Sequence, residues 1–98
     1  MAGETTLQAL RARREEILGA AGHRHARNVR VFGSVSRGEA GPDSDVDFLV
    51  DFDAGASLLD QIGLIQDLQA MLGVNVDVIS SGGLRPRHER IRLEAVVL

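Results

Sequence analysis

The chain has 98 residues, of which 44% are hydrophobic and 26% are charged, and its formal charge is −3. The absence of Cys excludes disulfides and thiolate metal sites, and the negative charge argues against direct nucleic-acid binding, which needs a positive surface. No apolar run resembles a signal region or a membrane span, so we expect a cytoplasmic protein without membrane contact. The length predicts a single domain over residues 1–98.

The first third of the chain is predicted to form a helix and a short strand. Thr5 and Gln8 fit a capping box, and apolar residues then recur on one face, which predicts a helix from residue 5 to about residue 22. Residues 28–32 are predicted to form a strand. Residues 33–44 are rich in Gly and Ser, which indicates a loop or a single helical turn.

The segment after this loop alternates strictly and predicts a strand over residues 45–52. Asp45, Asp47, Leu49 and Asp51 would share one face, opposite a face that is entirely apolar. Asp51 is interpreted as a solvent-facing charge on an edge strand, where such charges prevent aggregation.

The second half is predicted to form a helix, a strand and a last short helix. Ser57 with Asp60 would open the helix and Gly73 would end it. Residues 74–79 are predicted to form a strand, and Pro86 suits the first turn of the last helix. The alternation of elements predicts an α/β or α+β fold, with helices packed on a small mixed sheet. The apolar positions of the second helix are assigned to the core, namely Leu58, Leu59, Ile62, Ile65, Leu68 and Leu72.

Two of the aspartates indicate a divalent cation. Asp45 and Asp47 lie two apart on a strand, so their side chains leave the same face about 6–7 Å apart at the backbone. Carboxylates this close repel each other unless a cation lies between them, and oxygen ligands favour Mg²⁺. Asp77, in the next strand, could face this pair if the two strands are neighbours, and three carboxylates would suit two metal ions.

The loop before the aspartate strand has the composition of a phosphate-binding turn. Gly33 and Ser34 directly follow a strand, and consecutive backbone amides in such a turn can bind an anion. Arg37 and Ser44 lie in the same loop and could contact phosphate oxygens. For Arg37, an ion pair with Asp43 or Glu39 is an equally good interpretation.

Two better-known motifs fail on the residues that they require. The spacing of Gly33 and Gly38 starts a Walker A loop, but Glu39 and Ala40 stand where Lys and Ser or Thr are needed. The acidic residues after position 42 start an EF-hand loop that lacks its sixth-position Gly and its twelfth-position Glu.

The stretch FGSVSRGEAGPDSDVDFLV, with a later strand Asp, resembles the nucleotidyltransferase superfamily that includes DNA polymerase beta. The similarity is greatest to the minimal nucleotidyltransferases, antitoxins that pair with HEPN-domain toxins. The resemblance implies that Gly33 and Ser34 hold a nucleoside triphosphate. It also implies that Asp45, Asp47 and Asp77 are catalytic and bind metal, with Mg²⁺, in two ions, as cofactor and ATP as substrate.

The resemblance further implies transfer of AMP to a Tyr hydroxyl of a HEPN toxin, within a hetero-oligomer. Two alternatives stay open: an antitoxin that neutralises its toxin by binding alone, and a catalytic subunit that modifies a small-molecule hydroxyl. The Arg-rich segment 85–92 is interpreted as a solvated face, with docking of an acidic partner or contact with the triphosphate as alternatives.

Overall fold

A computed structural model describes residues 6–39 and 45–98 of the chain. Two short 3-10 turns, Ser81–Gly83 and Pro86–His88, lie between the third strand and the last helix. The helices and strands are, in chain order, α1 (Leu7–Ala12), α2 (Arg14–His23), β1 (Ala26–Phe32), β2 (Val46–Phe52), α3 (Leu58–Leu72), β3 (Val76–Ser80), α4 (Glu89–Glu94) and β4 (Val96–Val97). None of the described helices has both the length and the apolar character needed to cross a bilayer.

The strands form one mixed sheet in the order β3-β2-β1-β4. β1 runs antiparallel to β2 and to β4, whereas β2 and β3 are parallel and are connected through α3. The predicted α/β fold with a mixed sheet is therefore confirmed. The parallel β2–β3 pair matters most for function, because it places the beginnings of two consecutive strands side by side.

The predicted N-terminal helix is divided into two. Arg13 ends α1 and precedes α2 with a non-helical backbone, and its guanidinium donates to the carbonyl of Met71 at 2.7 Å. A contact with the far end of α3 thus fixes the break, and nothing in the local pattern predicts such a contact. Thr6 caps α1 by accepting from the amide of Ala9 at 3.0 Å, whereas the predicted cap, Thr5, lies outside the described residues.

Helix α3 begins and ends where its capping residues predict. Ser57 and Asp60 form a reciprocal capping box, and Gly73 ends the helix in the left-handed conformation with φ of 70°. The assignment of its whole apolar set to the core was wrong, because three residues of its first turns are 69%, 77% and 42% exposed, namely Leu58, Leu59 and Ile62. The sheet covers the later turns, where Leu64 and Leu68 are buried.

The core lies between the sheet and the helices α1, α2 and α3, and it is aliphatic except for Phe48. Its buried members are Leu10, Ile17, Ala21, Ala26, Val29, Val31, Val35, Val46, Phe48, Val50, Leu64, Leu68, Val76, Val78 and Leu98. On the other face of β2, Leu49 is also fully buried although it alternates with aspartates. The turn Ser81–Gly83, directly after β3, contacts β2.

Asp51 is not an edge-strand charge as predicted, because β2 lies inside the sheet. Its carboxylate accepts hydrogen bonds from Arg30 at 2.7 Å, from Asn28 at 3.0 Å and from the hydroxyl of Ser81. These donors, the Ser81 hydroxyl first and the Asn28 amide next, lower the pKa of Asp51. Asp51 therefore links β1, β2 and the turn after β3.

Candidate active site

The structure brings the predicted acidic residues to one end of the β2–β3 pair. Asp47 and Asp77 are direct neighbours in the parallel ladder, so their side chains leave the same face of the sheet. Asp45 stands immediately before β2, two residues ahead of Asp47. Asp45 and Asp77 are exposed to solvent and Asp47 is half-buried. The innermost carboxylate of the trio is therefore that of Asp47.

Gly33 packs directly against this innermost carboxylate. The last residue of β1, Phe32, is paired with Asp47 across the antiparallel ladder, so the chain turns at Gly33 beside the aspartate. Gly33 has a φ of 74°, and a Cβ added to it would lie 2.5 Å from Oδ2 of Asp47. Only a residue without a side chain fits this position while Asp47 keeps its orientation.

The surroundings of Asp47 disfavour its charged form. Burial, followed by the charges of Asp77 and Asp45, raises the pKa of Asp47, and only Arg37 acts in the opposite direction. Three acidic oxygen donors at the same end of two paired strands suit a hard divalent cation such as Mg²⁺. In residues 6–39 and 45–98, no group of three or more His, Cys, Asp or Glu side chains is arranged so that it could hold a metal ion.

The loop after β1 folds into a helical turn that is closed by its own backbone hydrogen bonds. Three backbone hydrogen bonds hold the turn together. The amide of Arg37 donates to the carbonyl of Gly33 at 3.2 Å, that of Gly38 to Val35 at 3.2 Å, and that of Glu39 to Ser34 at 2.9 Å. Among the described residues, the amides of positions 34–36 donate to no backbone carbonyl. Unpaired amides at the start of a helical turn can bind an anion. This turn lies beside the carboxylates, because it begins at Gly33.

Arg37 lies in the same turn and is held by two carboxylates. Its Nε donates to Glu39 at 2.6 Å, and its Nη1 lies 3.0 and 3.1 Å from the two oxygens of Glu94. The Glu39 pair was one of the two alternatives that the sequence left open. Glu94 was missed, since it lies far along the chain, just after the Arg-rich segment, and only the tertiary fold brings it to the loop. Ser44 lies outside the described residues.

The Arg-rich segment 85–92 presents its arginines to solvent. All four of its arginines are exposed, which agrees with the interpretation as a solvated face; they are Arg85, Arg87, Arg90 and Arg92. Glu94 at the end of α4 is the contact that connects this part of the chain to the Gly33 loop.

Comparison with known proteins gives a consistent result. Residues 14–98 match the nucleotidyltransferase domain. Protein adenylyltransferase MntA of Thermococcus cleftensis is 46% identical over 71 residues, which cover 72% of this chain and 72% of that protein. A solved structure provisionally assigned as a minimal nucleotidyltransferase has a TM-score of 0.85 and 49% identity, and covers 97% of this chain and 98% of its own.

The fold also recurs in more distant proteins. A toxin–antitoxin crystal structure with AMP-PNP has a TM-score of 0.73 at 19% identity, with 85% of this chain and 69% of that chain covered. At this identity the likeness concerns the fold alone.

Proposed function

This chain belongs to the nucleotidyltransferase domain family and is a nucleotidyltransferase, and from that premise we propose that it transfers AMP from ATP to a Tyr hydroxyl of a HEPN-domain toxin and so acts as an antitoxin in the cytoplasm. The observation that carries the proposal is the pairing of Asp47 with Asp77 beside the turn that begins at Gly33. The proposal assigns the whole of residues 1–98 to one minimal nucleotidyltransferase domain.

The carboxylates of Asp45, Asp47 and Asp77 would hold Mg²⁺, in two ions. The fit rests on their hard oxygen donors, on the raised pKa of Asp47 and on Gly33, which has no side chain to displace Oδ2 of Asp47. Bound magnesium offsets the negative charge that develops on the phosphates during transfer.

The turn from Gly33 would hold the triphosphate. Ser34 would offer its hydroxyl and the first of the amides that have no backbone acceptor in the described residues, and Arg37 would supply a positive charge from the same turn. Ser44 is proposed as a further contact to the nucleotide. A triphosphate fixed in this way presents its α-phosphorus in line with an attacking hydroxyl, which lowers the entropic part of the barrier.

Asp77 is proposed to orient the acceptor hydroxyl and to take its proton. The hydroxyl oxygen then bonds to the α-phosphorus, the bond from that phosphorus to the bridging oxygen breaks, and pyrophosphate leaves with the electron pair. Asp77 suits this role because it is exposed, whereas Asp47 is half-buried and turned toward Gly33.

A protein acceptor is supported by the relatives. The Thermococcus protein is named a protein adenylyltransferase, and the AMP-PNP structure is one of a toxin with its antitoxin. AMP on a Tyr of the toxin would add bulk and negative charge and so block the activity of the toxin.

Mass spectrometry of a HEPN toxin after incubation with this protein, ATP and Mg²⁺ tests the proposal. We expect the toxin to gain one or more AMP units with the wild type and with Asp53→Asn, and none with Asp47→Asn. Asp53 is a matched control, because it is an exposed aspartate after the far end of β2. An unmodified toxin that is still inhibited would replace the proposal with an antitoxin that acts by binding alone.

A further inference from the structure

The guanidinium of Arg37 is fixed on two of its nitrogens by two different parts of the chain. Glu39, from the same loop, accepts from Nε at 2.6 Å. Glu94, from α4, places both of its oxygens at 3.0 and 3.1 Å from Nη1. A guanidinium held through two nitrogens has little freedom to rotate.

Glu94 is the better anchored of these two carboxylates. Its side chain is 22% exposed, against 60% for Glu39. Directly after it, β4 pairs with β1, opposite Arg30 and Val31, and the buried Leu98 donates its amide to Val29 at 3.2 Å. The end of α4 is therefore attached to the same strand that leads into Gly33.

A second contact holds the C-terminal strand β4. Arg11 of α1 donates to the carbonyl of Val97 at 2.7 Å.

Arg90 is a second cation near Glu94, but its Nε lies 3.8 Å from the Oε1 that Arg37 also contacts, and its side chain is 89% exposed. Arg90 therefore competes weakly with Arg37. The stable partner of Glu94 is therefore Arg37.

We propose that Glu94 is a positioning residue for the nucleotide site: it holds the guanidinium of Arg37 beside the turn that begins at Gly33, ready for the triphosphate. This inference rests on the proposed function. The physical reason is entropic, because an unrestrained Arg side chain loses rotamer freedom when it is fixed. Glu94 removes part of that loss before the nucleotide binds.

The test is calorimetric titration of Mg·ATP into four variants and the wild type, without any acceptor. Glu94→Gln removes the charge of the positioning residue, Arg37→Gln removes the group it positions, and the double variant combines them. Glu89→Gln is the matched control, because Glu89 is an exposed glutamate on the same helix with no side-chain ion pair in the described part of the chain.

We expect Glu94→Gln to weaken Mg·ATP binding about 3- to 10-fold. This is the loss of affinity expected when a partly exposed ion pair, and the order that it imposes on Arg37, are removed. Glu89→Gln should bind like the wild type, and the double variant should bind no more weakly than Arg37→Gln alone. Thermal melts of all variants report on the fold separately.

Several results would overturn the positioning role while the wild type still binds Mg·ATP. One is that Glu94→Gln binds Mg·ATP as tightly as Glu89→Gln does, and another is that it binds Mg·ATP more tightly than the wild type. A third is that the losses of Mg·ATP affinity from the two single changes add up in the double variant. Additive losses would mean that Glu94 acts on the fold and not through Arg37. A wild type that fails to bind Mg·ATP would instead remove the proposed function, and the inference with it.

Discussion

Gly33 and Asp47 are packed so closely that one methyl group cannot be placed between them, since a Cβ on Gly33 would lie 2.5 Å from the carboxylate oxygen Oδ2. Asp47 is also held by the β1–β2 ladder through its partner Phe32. The sheet thus fixes the backbone of Asp47 and that of Phe32, next to Gly33. A side chain at position 33 would therefore force the carboxylate of Asp47 to move.

Gly33→Ala should therefore displace the carboxylate of Asp47 and lower the rate of AMP transfer about 100-fold, the effect of moving a catalytic group by about 1 Å. Gly38→Ala is the control, because Gly38 has a φ of 72° but open space where its Cβ would be. Both changes should cost about 1–2 kcal/mol of stability through the left-handed backbone. Equal transfer rates in the two variants would contradict the account.

Asp47→Asn should stabilise the metal-free protein while it abolishes transfer. Burial and the neighbouring Asp77 raise the pKa of Asp47, so the folded protein binds this proton more tightly than the unfolded chain does. The free energy of unfolding then falls as the pH rises from the ordinary Asp range through the raised pKa. The variant should lose this slope and gain on the order of 0.5–2 kcal/mol at neutral pH. Urea unfolding in EDTA at several pH values measures both effects.

Asp51→Asn should have the opposite effect on stability, although Asp51 shares a strand face with Asp47. Ser81 and Asn28 lower the pKa of Asp51, so its contribution is present above the ordinary Asp pKa and is lost as the pH falls through the lowered one. The variant should lose about 1–2 kcal/mol at neutral pH, because its hydrogen bonds are to a charged group. The same unfolding series should show the loss shrink in acid, and a loss that stays constant with pH would count against this interpretation.

Mg²⁺ should raise the melting temperature of the wild type and of Asp53→Asn, and EDTA should reverse the increase. A ligand at ten times its dissociation constant stabilises the folded state by about 1.4 kcal/mol. Asp47→Asn should show little or no increase, because it lacks the innermost of the proposed metal ligands. An equal increase in Asp47→Asn would place the ion elsewhere.

The parts of the fold that follow from local patterns were predictable. Strict alternation identified β2, and the capping residues Ser57 and Gly73 identified the bounds of α3. A single helix between two strands also made β2 and β3 plausible parallel neighbours, and the structure pairs Asp47 with Asp77. The sequence could therefore indicate the acidic cluster before any coordinates.

The parts that depend on tertiary contacts were not predictable. The pairing of β4 with β1 involves two residues, too few to leave a pattern, and with β4 the role of Glu94 was missed. The break at Arg13 depends on Met71, at the far end of α3. Periodicity correctly found an apolar face on α3, but it could not show that the sheet leaves Leu58 and Leu59 uncovered.

In the proposed reaction, the Asp47–Asp77 pair directs attack on the α-phosphorus of ATP. The most direct measurement incubates the protein, Mg²⁺ and a HEPN toxin with ATP labelled at the α-phosphate or, in a parallel reaction, at the γ-phosphate. With the wild type, only the α-label should become covalently attached to the toxin. With Asp77→Asn, neither label should become attached. Attachment of the γ-label, or equal α-labelling by Asp77→Asn, would contradict it.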